Sequence, residues 1–166
     1  MKLRAASLIN DSIVDGPGLR YAVYVQGCSH HCDGCHNPQT HAFDGGFETD
    51  TEDIWHEIEG NPLLDGVTFS GGDPLFQPLP LTELARKARE NGMSVWCYTG
   101  FVFEALLEKN DREIMELLRF VDVLVDGRFE KSLRTLELPF RGSKNQRLID
   151  VKRYFSDGVV AEYSLS

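Results

Sequence analysis

No long apolar run occurs in the sequence. Nowhere do the roughly 18 uninterrupted apolar residues of a membrane helix appear, which excludes a helical membrane span. The first eleven residues carry Lys2 and Arg4 with no apolar stretch behind them, so no secretory signal is expected and the cytoplasm is the expected compartment. Basic charge is scarce: 17 Lys and Arg stand against 26 Asp and Glu, a formal net charge of −9. A chain of that sign lacks the basic face that nucleic acid and anionic membranes require, so neither is an expected partner. Cysteines number only four, and Cys28, Cys32 and Cys35 fall together. That crowding does not suit a framework of two disulfides, and a reducing compartment keeps thiols free. Repeats and low-complexity segments are absent as well.

What is present suits one domain over residues 1–166, with 42% hydrophobic residues, enough to bury a core unaided. Helical and strand patterns alternate. Residues 19–26 read as a strand, 28–41 as a loop, and 51–59 as a helix capped by Thr49 or Asp50. A short strand over 66–70 runs into Gly71-Gly72-Asp73-Pro74. An amphipathic helix over 79–91 stops at Gly92. A strand over 94–98 follows, then helices over 103–109 and 112–120, the second capped by Asp111. Strands over 121–125 and 147–151 complete the pattern, and the tail from Tyr154 shows none.

Strands separated by helices imply βαβ units, an α/β fold and a mainly parallel sheet. Ligands in such folds sit at the carboxyl ends of the strands. Gly27-Cys28, Ser70-Gly71-Gly72-Asp73, Tyr98-Thr99-Gly100 and Asp126-Gly127-Arg128 each follow a strand. One composite site on one rim is expected.

Thiolates are soft ligands for zinc or iron–sulfur clusters. Cys28-x3-Cys32-x2-Cys35 offers three of them at unequal gaps. On a four-iron cube, three ligands leave one iron without a protein thiolate, and an open position is what a catalytic centre needs. Two alternatives stand beside that reading. Cys97, in an apolar strand, packs as a small hydrophobe or supplies a fourth ligand to an electron carrier. One of His30, His31, His36 and His41 could instead complete a Cys3His zinc site. His56 is expected on a helix surface.

The C-x3-C-x2-C loop after a first strand, with Gly-Gly-Asp-Pro after the second, resembles the radical S-adenosylmethionine superfamily. Asp15-Gly16-Pro17-Gly18-Leu19-Arg20 resembles its glycyl-radical activating enzymes. Gly34-Cys35-His36-Asn37, Ser70-Gly71-Gly72-Asp73-Pro74-Leu75, Tyr98-Thr99-Gly100, Val123-Leu124-Val125-Asp126-Gly127 and Arg141-Gly142-Ser143-Lys144-Asn145-Gln146-Arg147 are similar to the activators of anaerobic (class III) ribonucleoside-triphosphate reductase. The motifs run from Asp15 to about Val151. Gly34 departs from the superfamily habit of an aromatic residue before the third cysteine, the nearby ring being His36.

The resemblance implies a shortened, open (β/α) barrel of the radical S-adenosylmethionine type and an oxidoreductase. It implies a [4Fe–4S] cluster on Cys28, Cys32 and Cys35. S-adenosylmethionine, held by Gly34, Cys35, His36, Gly71, Gly72 and Asp73, is then cleaved reductively to methionine and a 5′-deoxyadenosyl radical that generates a glycyl radical on the reductase large subunit. Gly72 is the candidate to receive the methionine amino group. Asp73 either adds a carboxylate there or caps the turn before Pro74. The implied electron donor is reduced flavodoxin or ferredoxin. Asp15–Gly18 reads as a turn, with Arg20 a possible contact to partner or cofactor. The segment 141–147 closes the pocket or docks the reductase. The basic residues between Lys131 and Arg153 form a solvated surface or a docking patch for an acidic partner. Other readings of the chain are an activase of another glycyl-radical enzyme such as pyruvate formate-lyase, a small-molecule enzyme of the superfamily, or a non-catalytic iron–sulfur or zinc module.

Overall fold

A computed structural model describes residues 1–35 and 38–165. Its strands are β1 (Lys2–Ser12), β2 (Arg20–Val25), β3 (Phe47–Asp50), β4 (Gly66–Gly71), β5 (Ser94–Tyr98), β6 (Val123–Asp126) and β7 (Arg147–Asp150). They form one open sheet in the order β3-β1-β2-β4-β5-β6-β7. The helices are α1 (Thr51–Glu59), α2 (Pro78–Glu90), α3 (Phe103–Lys109), α4 (Arg112–Leu118) and α5 (Val151–Asp157). Among the described residues no helix is long and apolar enough to cross a membrane.

The expected α/β class and mostly parallel sheet are observed, but the sheet is mixed. β2, β4, β5 and β6 run parallel. β1 pairs antiparallel with both β2 and β3 at one side, and β7 pairs antiparallel with β6 at the other. β1 and β3 carry no clean apolar alternation, because much of β1 and all of β3 lie half-buried or exposed near the edge. Alternation marks a strand only where one face is buried. The tail is also ordered: α5 caps on Asp150, and Ala161 and Tyr163 pair along the outer edge of β7.

Side-chain period two sorts the central strands into two faces. Tyr21, Val23, Val67, Phe69, Val95, Cys97, Leu124 and Ile149 join the helix residues Ile54, Ile58, Leu81, Leu84, Phe103, Leu117 and Val151 in one core. Right-handed crossovers taken in the constant direction β2, β4, β5, β6 put the helices on one face. The other face carries Arg20, Thr68, Trp96, Val123, Val125 and Leu148. It is covered by chain rather than helix: Phe140 and Tyr163 stand edge-on to Trp96, with ring centroids at 5.2 and 5.8 Å.

Arg20 sits at the strand ends remote from the cysteines and is 0% exposed. This corrects its reading as a partner or cofactor contact. Its guanidinium donates to Thr68 Oγ1 at 2.7 Å, Pro17 O at 3.0 Å, Ser94 Oγ at 2.9 Å, Val67 O at 2.9 Å and Ser94 O at 3.0 Å. Burial lowers its pKa to about 10, against which nearby carboxylates act only partly. It therefore remains a cation at neutral pH, held by neutral acceptors. Arg20→Met is expected to lower the free energy of urea unfolding by about 2–4 kcal/mol, because several buried acceptors lose their donor at once. A loss below about 1 kcal/mol would show that the network contributes little.

Candidate functional site

The carboxyl ends of β2, β4, β5 and β6 meet at a cavity of about 450 Å³, within the range of small-molecule sites. All four polar segments that follow those strands reach it: Cys28 after β2, Ser70-Gly71-Gly72 after β4, Tyr98-Thr99-Gly100 after β5, and Gly127-Arg128 after β6. The single rim expected from the sequence is observed.

Cys28, Cys32 and Cys35 all line this cavity, and none of them is in a disulfide with another described cysteine. The loop that carries them closes at its base through Gly27 N–H to Thr40 O at 2.7 Å and Cys28 N–H to His41 O at 3.1 Å. Within it, Cys35 N–H donates to Cys32 O at 3.1 Å. Gly34 takes φ +73°, in the left-handed region, which lets the chain turn before Cys35. Burial pushes the Cys28 and Cys32 thiols up, while the main chain at His30 and Phe129 pulls the other way. Deprotonation then requires something that rewards the thiolate, as a bound metal does. Among the described residues no three His, Cys, Asp or Glu side chains are arranged to hold a single metal ion. The three thiols instead share the wall of one larger cavity.

Cys97 is fully buried among the helix-facing residues, and burial pushes its thiol well above the ordinary value. It packs as a small hydrophobe, away from the cavity face. His30 is committed elsewhere: its Nε2 lies 2.6 Å from Asp73 Oδ2, with the side chain only 5% exposed. His41 lines the cavity with His31 edge-on to it at 5.2 Å; burial, then the neighbouring His31, lowers its pKa. His56 is exposed on α1. His36 lies outside the described residues.

Asp73 is wholly buried and caps the turn before Leu75 through Oδ1. The same carboxylate accepts from Thr99 Oγ1 at 2.9 Å and Gly100 N–H at 2.9 Å, both to Oδ2. It thus stands behind the cavity wall, reaching the site through His30, Thr99 and Gly100. Gly71 and Gly72 line the cavity, but the crowding that demands glycine comes from main chain. A Cβ at Gly71 would meet Val25 N at 2.5 Å, and one at Gly72 would meet Gly27 O at 2.4 Å. Gly34 is exposed beside Phe129 and Lys131 and is not among the cavity-lining residues.

The opposite wall comes from the segment after β6. Phe129, Phe140, Arg141, Gly142 and Gln146 line the cavity. Gln146 shapes this wall, accepting from Gly142 N–H at 2.8 Å and donating to Gly127 O at 3.0 Å. Of the segment 141–147, Arg141, Gly142 and Gln146 form part of the pocket wall. Arg147 is not a free cation: it binds Asp126 Oδ2 at 2.6 Å and Glu104 Oε1 at 2.5 Å. Asp126 in turn receives Phe103 N–H at 2.9 Å, capping α3. Tyr24 completes the floor, donating to Asp15 Oδ1 at 2.6 Å, with Ser12 on the other carboxylate oxygen.

The cysteines, both glycines after β4 and Tyr98–Gly100 thus come together as read from the sequence. Tyr24, Phe129, Phe140 and the His30–Asp73 pair were not legible there. Their side chains are ordinary in a strand or loop, and only the packing of separate strand ends makes them neighbours.

A family model described as a 4Fe-4S single cluster domain matches residues 14–149. An anaerobic ribonucleoside-triphosphate reductase-activating protein of Enterobacteria phage T4 is 38% identical over 142 residues, covering 81% of this chain and 86% of that protein. The proteins of that name from Escherichia coli K12 and Haemophilus influenzae are 35% and 34% identical. Each matches 81% of this chain, and 90% and 89% of the respective relative. With its cysteine loop inside the matched 4Fe-4S domain, the chain belongs to the family of anaerobic ribonucleoside-triphosphate reductase-activating proteins.

Proposed function

We propose that this chain, acting as one domain over 1–166, activates an anaerobic ribonucleoside-triphosphate reductase by radical S-adenosylmethionine chemistry. The observation that carries the reading is the meeting of three cysteine side chains at one glycine-walled cavity, while Cys97 lies among the helix-facing core residues. In this reading the open sheet is a shortened (β/α) barrel of the radical S-adenosylmethionine type.

Cys28, Cys32 and Cys35 hold a [4Fe–4S] cluster as thiolates and leave one iron to the cofactor. Once bound, the cluster and S-adenosylmethionine supply one-electron cleavage to methionine and a 5′-deoxyadenosyl radical, which takes a hydrogen atom from a glycine of the reductase large subunit and leaves a glycyl radical. The protein's part is binding, orientation and exclusion of water. Gly71 and Gly72 offer main-chain groups, and in this reading the Gly72 carbonyl receives the methionine amino group. Tyr98, Thr99 and Gly100 face the adenosyl end. Phe129 and Phe140 restrict solvent. Asp73 and Gly34 act from behind, through the elements they hold, and His36 follows the third ligand directly in sequence.

The electron enters from a reduced flavodoxin or ferredoxin. Six of the chain's 17 Lys and Arg, but only two of its 26 Asp and Glu, fall between residues 128 and 147. Arg147 is consumed by Asp126 and Glu104, whereas Arg128, Lys131, Arg134 and Lys144 are exposed. Lys131 lies beside Gly34, next to the third ligand. An acidic carrier is attracted to this surface and repelled elsewhere.

Two measurements test the reading. Protein reconstituted with iron and sulfide, reduced and given S-adenosylmethionine, is expected to form 5′-deoxyadenosine. Cys28→Ala loses that activity with most of its iron, and Cys97→Ala keeps both. A fully loaded wild type that makes no 5′-deoxyadenosine would turn the assignment toward an electron carrier or scaffold. The double reversal Lys131→Glu/Lys144→Glu is expected to slow turnover about tenfold with an acidic protein donor, and less than about twofold with dithionite. Equal slowing with both reductants would remove the docking role from this surface.

A further inference from the structure

We infer that His30 is a positioning residue, which holds the cysteine loop on the ends of β4 and β5 and so sets how the metal site faces the Gly71–Gly72 wall. The inference rests on the proposed cluster site but uses geometry that the cysteines do not supply.

Among its described residues, the loop over 28–41 has no strand or α-helix of its own. Ordering such a segment costs roughly 1–2 kcal/mol per residue in backbone entropy, so a few anchors must hold it. Two main-chain bonds, from Gly27 and Cys28 to Thr40 and His41, close its base. They fix where the loop starts and ends, with Gln26 donating to Gln39 O and Ala42 O beside them. His30 adds an anchor inside the loop, two residues from Cys28 and two from Cys32.

Its ring is seated specifically. Nε2 is 2.6 Å from Asp73 Oδ2, and the two side chains are 5% and 0% exposed. The Phe101 ring meets it edge-on at 4.6 Å. Gly100 has no side chain to contest the place, and a Cβ there would lie 2.7 Å from the imidazole. Asp73 is itself held from three further sides, since Leu75 N–H, Thr99 Oγ1 and Gly100 N–H also donate to its oxygens. One hydrogen bond therefore joins the thiolate-bearing loop to two strand ends that form the cavity wall. His30 is two residues from Cys28 and two from Cys32, so a shift of its ring is passed to both ligands along a short stretch of main chain.

The test compares full-length wild type with His30→Gln, which keeps an N–H donor at similar reach, and His30→Leu, which removes it. Before reconstitution, amide hydrogen exchange over 28–41 is expected to quicken about tenfold in His30→Leu and to stay within about threefold in His30→Gln. After reconstitution, the change that S-adenosylmethionine produces in the electron paramagnetic resonance spectrum of the reduced cluster is expected to survive in His30→Gln and shrink or vanish in His30→Leu. If His30→Leu does not fold, His30→Asn, too short to reach Asp73, takes its place. Unchanged exchange and an unchanged spectrum in the donor-free variant would overturn the inference. So would equal losses in the donor-free variant and His30→Gln, which would assign the effect to ring packing. A wild type whose spectrum ignores S-adenosylmethionine would count against the proposed function, while the exchange comparison would still decide the role of His30.

Discussion

A carboxylate taken out of water must be given donors or it destabilises the fold. Asp73 is fully buried, and its donors come from separate parts of the chain: Leu75 from the turn after β4, Thr99 and Gly100 from the end of β5, and His30 from the cysteine loop. Because a partly satisfied buried network is worse than none, these segments cannot drift independently. The cavity has a definite shape for that reason. The cysteine loop and the stretches after β4 and β5 have little regular structure and are referred to one carboxylate, while the stretch after β6 is shaped by Gln146.

The same face of the sheet does two jobs at its two ends. Winding in one direction leaves this face without helices, so its lower part must be filled another way. Arg20, Trp96, Phe140 and Tyr163 fill it, the arginine spending its donors on strand ends and on Thr68. Thr68 passes the order upward: it accepts from Arg20 and donates to Asp15 O at 3.0 Å, and Asp15 holds Tyr24 at the cavity floor. The buried cation at the strand starts is thereby joined, through one hydroxyl, to the wall of the site at the strand ends. The Asp15–Arg20 motif is structural along most of this path, and its reach to the cavity is through Asp15 and Tyr24.

How far the sequence could be read follows from where each signal resides. The central strands and α1–α4 were legible because their apolar spacing reflects one buried face, as in Ile54 and Ile58 or Val67 and Phe69. β1, β3 and the ordered tail escaped because edge elements bury little. The cysteine spacing was legible as local chemistry, as was the gathering of four post-strand segments. Asp73 was readable only as far as its two alternatives, because the choice depends on donors 26 and 43 residues away in sequence. The glycines after β4 were located correctly, but their need for a bare Cα comes from the main chain of β2 and of the cysteine loop, which no local reading can supply.

Charge shows the same division between composition and placement. Read along the chain, Lys131 to Arg153 is one basic stretch. In three dimensions it separates. Arg147 neutralises Asp126 and Glu104, and Arg153 lies 3.4 Å from Asp157 on α5. Only the cations on the segment that packs against Gly34 stay both exposed and beside the cysteine loop. Since fields between exposed charges decay within about 8 Å at physiological salt, cations farther along the chain add little to steering at that point. The surplus of acidic residues elsewhere then acts in the same sense, by disfavouring every other approach of an acidic partner. A chain that is acidic overall can for that reason present one basic approach to its metal site, set by which arginines are already paired.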